Sequence, residues 1–219
     1  DGNIAFASEL KGLIAGNVIS REVNRIALGA YLRFGYVPSG HSIYAHAKML
    51  QPGHILEIAG EGHASEFAYW SVEDAVISGQ NHHWSGDDQS AIDALEDLLR
   101  DAVERRMIAD VPLGAFLSGG IDSSTVVTLM QSVSDRPVKT YSIGFDHDAY
   151  NEAAFAGEVA KHLGTDHTEL YVTAKDALDL VPRLSEIYDE PFFDSSSIPT
   201  CLISSLTRKE VTVALSGDG

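Results

Sequence analysis

The stretch Asp110-Val111-Pro112-Leu113-Gly114-Ala115-Phe116-Leu117-Ser118-Gly119-Gly120-Ile121-Asp122-Ser123-Ser124 decides how this chain folds. Val111 to Leu117 is a compact apolar run that reads as a buried strand, and the run from about Asp122 to Val133 reads as a helix. A strand that passes through two glycines straight into a helix opens a βαβ unit. Adjacent glycines carry no Cβ, so their N–H groups can turn inward and approach an anion closely. The helix start adds unbonded N–H donors and the positive end of its dipole. Ser118, Ser123 and Ser124 offer hydroxyls to phosphate oxygens. Asp122 is out of place beside phosphate unless a divalent cation lies between them, where a carboxylate is a natural ligand. A plain Gly-Gly turn with a Ser/Asp helix cap accounts for the same residues without any ligand. No Lys follows the loop as in GxxxxGK[ST], and the chain has no GxGxxG. Without a Lys to reach terminal phosphates, the loop suits a leaving pyrophosphate better than γ-phosphate transfer.

Downstream, strand patterns at Val138–Phe145, Glu169–Val172 and Val211–Leu215 alternate with helical ones. Asn151 caps a helix through Ala153, Ala154, Val159, Ala160 and Leu163; Gly157 inside it costs ~1 kcal/mol relative to Ala. A second helix runs from Lys175 to about Tyr188, and a third surrounds Cys201–Arg208. This alternation predicts an α/β fold, an open parallel sheet with helices on both faces. Upstream, Ser85-x-x-Asp88 opens an amphipathic helix with Ile92, Leu95, Leu98, Leu99, Ala102 and Val103 inward. Residues 70–88 are polar and glycine-bearing, a linker pattern. Within 1–69, residues 4–14 read as a strand entering a short helix. Ser20 caps a helix with Val23, Ile26, Ala27, Ala30, Tyr31 and Phe34 on one face, ended by Pro38 and Gly40. His41–His46 and Gly53–Glu66 suggest β segments around the turn Gln51-Pro52-Gly53. The expected division is thus a partial α+β domain at 1–69, a linker at 70–88 and the α/β domain at 89–219. Both ends read as cut: the chain opens at Asp1, and Ser216-Gly217-Asp218-Gly219 is a strand running into a glycine loop. An internal fragment of something longer is the expectation.

Composition narrows the function. The 219 residues carry 15 Lys+Arg against 32 Asp+Glu, a net charge of −17. That balance disfavours nucleic-acid binding, since phosphate backbones call for clustered cations. No apolar run is long enough to span a membrane and no secretory leader is evident, so a cytoplasmic setting is expected. The single cysteine, Cys201, forms no internal disulfide and reads as a small core residue. His82-His83 lacks ligands at metal spacing. His147, His162 and His167 read as helix-end caps or loop contacts, with acid–base roles as the alternative.

The Leu117–Ser124 loop resembles the pyrophosphate loop of ATP-pyrophosphatase enzymes, and 110–124 is similar almost residue for residue to that of glutamine-hydrolysing asparagine synthetases. Also similar are Tyr141-Ser142-Ile143-Gly144-Phe145, His162-Leu163-Gly164-Thr165-Asp166-His167, Asp189-Glu190-Pro191 with Asp194-Ser195-Ser196, and Leu215 to Gly219. Phe6 to Lys11 and Leu50 to His54 resemble the closing segments of the family's class II glutaminase domain. The resemblance implies that aspartate and ATP give β-aspartyl-AMP and pyrophosphate, after which ammonia from glutamine displaces AMP to give asparagine. It implies ATP and Mg²⁺, small-molecule partners without nucleic acid or membrane, and a possible homodimer. Carried over, Leu117 and Ile143 would hold adenosine, Gly144 would be a further nucleotide-binding residue, and Ser118, Gly119, Gly120, Ser123 and Ser124 would grip pyrophosphate. Asp122 would hold Mg²⁺, and Ser216 and Gly217 would close over the nucleotide. Asp218, where many members have Glu, would act in forming the intermediate. The resemblance puts the glutaminase nucleophile at an N-terminal cysteine, whereas residue 1 is Asp, so this fragment alone is expected to be inactive. The Asp189–Ser197 loop would line the aspartate pocket, or form a solvated loop with Asx turns. The alternatives are a paralogous amide-forming synthetase, a tRNA-modifying enzyme, which the charge disfavours, and a non-catalytic nucleotide-binding module.

Overall fold

The computed structural model describes residues 4–59, 63–145 and 153–217. His147, the expected Asn151 cap and Asp218 lie outside the described residues. The chain divides into two units: Asp1–Trp84 with Pro182–Asp194, and Ser85–Val181 with Ser195–Gly219.

In the first unit, α1 (Leu10–Ala15) and α2 (Arg25–Phe34) precede a hairpin of β1 (His54–Ile58) and β2 (Ala64–Ala68). The α2 cap is Asn24, four residues beyond the expected Ser20: its side chain accepts from the N–H groups of Ile26 and Ala27. Gly35, left-handed at φ 82°, ends the helix before Pro38 is reached. Residues 4–8 form no strand, and 41–46 contribute only the bridge between Val23 and Tyr44. Within the expected linker, α3 (Val72–Asn81) forms under a Ser71 cap.

The second unit opens with α4 (Asp88–Met107), capped by Asp87, which accepts from Ser90 N; that bond holds its carboxyl below the usual range. Ser85 is therefore not the cap. There follow β3 (Leu113–Phe116), α5 (Ile121–Ser132), β4 (Lys139–Phe145), α6 (Ala153–Leu163), β5 (Asp166–Val172) and α7 (Ala174–Leu180). Pro182 cannot donate a helix bond, so the single helix expected to reach Tyr188 breaks into α7, a 3₁₀ turn at Val181–Arg183, and α8 (Leu184–Ile187). The last elements are α9 (Ser197–Thr207) and β6 (Val213–Leu215).

The four strands pair in parallel in the order β5-β4-β3-β6. One face carries α5 and α6, whose Val127, Leu129, Met130, Ala156 and Ala160 pack on Ala115, Leu117 and Val138. On the other face Ile203 of α9 packs with Tyr141 and Val211, flanked by Phe116, Ile143 and Leu170. This is the two-sided cover that a parallel sheet requires. Burial, and then Glu210 accepting from its hydroxyl at 3.1 Å, push the Tyr141 phenol up to about 12. The expected inward face of α4 is buried only at Val103; Ile92, Leu95 and Leu98 are more than half exposed. At 20 residues α4 is about 30 Å long, whereas the 12 residues of α5 reach about 18 Å. Among the described residues no helix is long and apolar enough to cross a membrane.

Candidate active site

β3 comes first in the sheet, yet it lies between β4, the next strand, and β6, the last. Chain progression reverses there, and in open α/β sheets ligands bind outside the strand C-termini at such a switch point. The Ser118–Gly120 loop leaves β3 at this place. Leu117, 1% exposed, ties it down by donating its N–H to Tyr141 O at 2.8 Å. Ile143 and Gly144 lie at the C-terminal end of the neighbouring β4. On the other side Ala115 is opposite Leu215, so Ser216 and Gly217 emerge beside the loop.

Gly119 turns the chain at φ 82°, and a Cβ on it would come within 3.0 Å of Ala156 N and Phe155 Cβ. Gly120 then serves as the N-cap of α5 without a side-chain bond. A Cβ at Gly217 would lie 2.4 Å from Ser123 N and 2.8 Å from Asp122 C, so β6 delivers bare backbone against the first turn of α5. Two serines brace the loop: Ser123 Oγ accepts from Ser118 N at 3.2 Å, bonds Ser118 Oγ at 2.9 Å and donates to Gly120 O at 3.3 Å. The first helical bond of α5 runs from Ser124 N to Gly120 O. The N–H groups of Ile121, Asp122 and Ser123 have no acceptor among the described residues, which leaves three donors at a positive helix end.

Ser124 departs from the expected cluster. Its Oγ is buried without a hydrogen-bond partner, and the residue lines a groove of about 600 Å³ between α4 and α5. Successive helix residues are about 100° apart, so Ser123 and Ser124 cannot both face the loop. The Asp122 carboxylate is exposed, with no hydrogen bond or ion pair among the described residues. Those residues contain no cluster of three or more His, Cys, Asp or Glu. An all-protein cage is thus not what the loop offers. One free carboxylate beside unbonded N–H donors does fit Mg²⁺, a cation that keeps several waters and is held by one or two carboxylates.

The Asp189–Ser197 loop is not a free acidic surface. Asp189 pairs with Lys11, and Glu190 accepts from Ile43 N, both within the first unit. His162 lies in the last turn of α6. His167 lies within the sheet: its Nδ1 is 2.9 Å from Thr140 Oγ1 and its Nε2 3.2 Å from Ser142 Oγ. Burial lowers its pKa, against the opposing pull of Glu169 and the Thr140 contact. A cavity of about 890 Å³ opens at the N-terminal ends of β3, β4 and β5, the edge opposite the loop. The donors at the start of α5 instead lie at the C-terminal edge of the strands, at the switch point where open α/β sheets bind ligands.

Residues 1–70 match the glutamine amidotransferase domain. Over its whole length the chain is 38% identical to a putative glutamine-hydrolysing asparagine synthetase 2 of Methanocaldococcus jannaschii, of which it covers 42%. It is 31% identical to asparagine synthetase 1 of Bacillus subtilis, matching over 99% of this chain and 33% of that protein. To asparagine synthetase B of Escherichia coli it is 26% identical over its whole length and 36% of that protein. The chain therefore spans between a third and about two fifths of the curated relatives it matches. Among solved structures it is similar to an NH3-dependent NAD synthetase from Campylobacter jejuni, at 17% identity over 59% of this chain and 56% of that one, with a TM-score of 0.37. That likeness is too slight to bear on the assignment. Residues 94–219, which contain the sheet, its loop and the Gly217 backbone, match the asparagine synthase model, and the chain belongs to that family.

Proposed function

We propose that the protein to which this chain belongs is an ATP-dependent amide-forming ligase that makes asparagine from aspartate and glutamine-derived ammonia in a cytoplasmic setting. The observation that carries the reading is the set of three unbonded N–H groups at the start of α5 beside the free Asp122 carboxylate. A β-carboxylate oxygen of aspartate attacks the α-phosphorus of ATP, and the bond to the bridging oxygen of the β-phosphate breaks, releasing pyrophosphate. Ammonia then attacks the activated carbonyl, loses a proton and expels AMP. The charge that grows on the leaving pyrophosphate meets the N–H groups of Ile121, Asp122 and Ser123, which are in place before the reaction begins. The Ser118 and Ser123 hydroxyls, bonded to each other here, can turn outward to the same oxygens. Leu117, Ile143 and Gly144 form the floor beneath adenosine, and the Ser216–Gly217 backbone closes beside it. Asp122 would hold Mg²⁺, which when bound neutralises phosphate charge. Asp218 is assigned to intermediate formation by the family resemblance alone. Residues 1–69 supply the closing part of the ammonia-generating domain, and 89–219 the opening part of the synthetase.

Product analysis on the full-length protein with ATP, Mg²⁺, aspartate and ammonia tests this. Aspartate-dependent AMP and pyrophosphate are expected, reduced roughly a hundredfold or more by Asp122→Asn. ADP and phosphate would refute the reading. AMP formed only with a different carboxylate would shift it to a paralogous synthetase.

A further inference from the structure

β6 pairs with β3 only at Leu113–Val213, Gly114–Ala214 and Ala115–Leu215, yet it has to deliver Gly217 against the Ser123 amide. A three-residue strand is at the short end of the range, so its register depends on what anchors its entry. That entry is the turn that follows α9, where Glu210 and Val211 donate their N–H groups to Thr207 O and Thr212 N donates to Pro112 O at 2.9 Å. Glu210 also reaches sideways. Its Oε2 accepts from the Tyr141 hydroxyl at 3.1 Å and lies 3.3 Å from Lys139 Nζ. Tyr141 belongs to β4, which β3 separates from β6, so the phenol crosses the middle strand to reach the turn. Gly114 of β3 makes the crossing possible: a Cβ there would come within 3.0 Å of Tyr141 Cε2, and the ring takes the space of the missing side chain. Tyr141 is 1% exposed, so its hydroxyl depends on that acceptor. The Lys139 and Glu210 side chains are nearly half exposed, and their ion pair adds little beside the buried phenol.

The same tyrosine holds the other wall of the site. Its carbonyl accepts from Leu117 N at 2.8 Å, immediately before the Ser118–Gly120 loop. One residue of β4 thus grips the loop by its backbone and the approach to β6 by its side chain. We propose that Tyr141 and Glu210 are positioning residues for nucleotide binding: the bond across Gly114 sets the spacing between the Ser118–Gly120 loop and the Ser216–Gly217 backbone. This inference rests on the functional reading above. Both residues act through the backbone they hold rather than by touching substrate. The phenol, pushed up to about 12, stays a donor across the neutral range, so the tie does not open there by titration of Tyr141.

The test compares the full-length wild-type protein with Tyr141→Phe, which keeps the ring and removes the hydroxyl, and with Glu210→Ala, a change at a half-exposed position should the first fail to fold. AMP formation is followed against ATP and against aspartate with free ammonia as amine donor, and a non-hydrolysable ATP analogue is titrated alongside. In both variants the KM for ATP and the Kd of the analogue are expected to rise about fivefold, while kcat and the KM for aspartate stay within about twofold. The double variant is expected to be no worse than either single one, because both remove the same bond. Glu210→Gln, which keeps an acceptor oxygen, should restore near wild-type affinity. An unchanged KM for ATP would overturn the inference, even with a lowered unfolding midpoint, since that is the mark of a purely structural contact. So would a loss in Tyr141→Phe that Glu210→Ala does not share, or equal rises in KM for both substrates. Wild-type protein that neither binds the analogue nor makes AMP would overturn the functional reading, and the inference with it; wild-type turnover with normal ATP affinity in the variants would overturn the inference alone.

Discussion

A methyl group on Gly217 would occupy space already taken by the Ser123 amide, 2.4 Å away. The neighbour is backbone rather than a movable side-chain end, so Gly217→Ala forces β6 and the first turn of α5 apart. Nucleotide affinity is expected to fall about tenfold, the equivalent of ~1.4 kcal/mol, with little change in global unfolding. Titration of the full-length variant with a non-hydrolysable ATP analogue checks this, and an unaltered Kd would show that the close approach is irrelevant to binding. Ser123→Ala is expected to lower global stability as well as nucleotide affinity. Its hydroxyl, in a residue 8% exposed, serves Ser118 N, Ser118 Oγ and Gly120 O, so its loss should cost about 1–3 kcal/mol in urea unfolding. The loop was legible because its requirements are local: two glycines, a helix start and a carboxylate within six residues. The outward turn of Ser124 was not, because only the path of α5 relative to α4 determines which of two adjacent serines faces the loop.

Elements were legible where a pattern repeats and less so where a single residue marks a boundary. Ser20 and Asn24 are both good helix caps, as are Ser85 and Asp87, and only the N–H groups in reach distinguish them. β5 begins at Asp166, three residues before the expected Glu169, because Asp166, His167 and Thr168 pair with Lys139, Thr140 and Tyr141 despite their polar side chains. Gly157, a weak point by propensity alone, lies where a Cβ would come within 2.8 Å of Glu169 Oε1, which relates it to the close approach of α6 and β5. The polar string on this face makes stability pH-dependent. The His167 pKa is depressed, with burial as the leading cause, so between its folded value and the unfolded 6.5 the unfolded chain binds more protons. Its contribution is complete above pH 6.5 and is lost as the pH falls through that window. Stability to urea should therefore drop between pH 7.5 and 5.5, and His167→Gln should flatten that drop. The shifted carboxylates Glu66, Asp87, Asp101 and Asp176 are all lowered and leave the window clear. An equal slope in the variant would remove His167 from the account.

At the scale of the molecule the structure divides the chain after Trp84 and returns 182–194 to the first unit, a return that no change of composition marks. The contacts that cause it join residues up to 178 apart, and no local pattern encodes a Lys11–Asp189 pair. The consequence is that the chain passes between units three times, after Trp84, after Val181 and after Asp194, rather than once. A cut between the units therefore does not free the first from everything bound to it. The polar stretch between His82, which closes α3, and Asp87, which caps α4, is exposed and tolerates an inserted protease site after Ser85. Once nicked there, the upstream fragment still holds the 182–194 strap, which the downstream fragment carries. The two should co-elute in native buffer and separate only in denaturant. Lys11→Met removes the charged donor from the carbonyls of Glu186 and Ile187 and from the Asp189 carboxylate, so the nicked variant should come apart at a protein concentration about tenfold higher than nicked wild type. Sedimentation across a dilution series reads that midpoint. If wild type and variant dissociate at the same concentration, the Lys11 clasp holds nothing together; if the variant alone dissociates in the micromolar range, the strap joins what the sequence lists as separate domains.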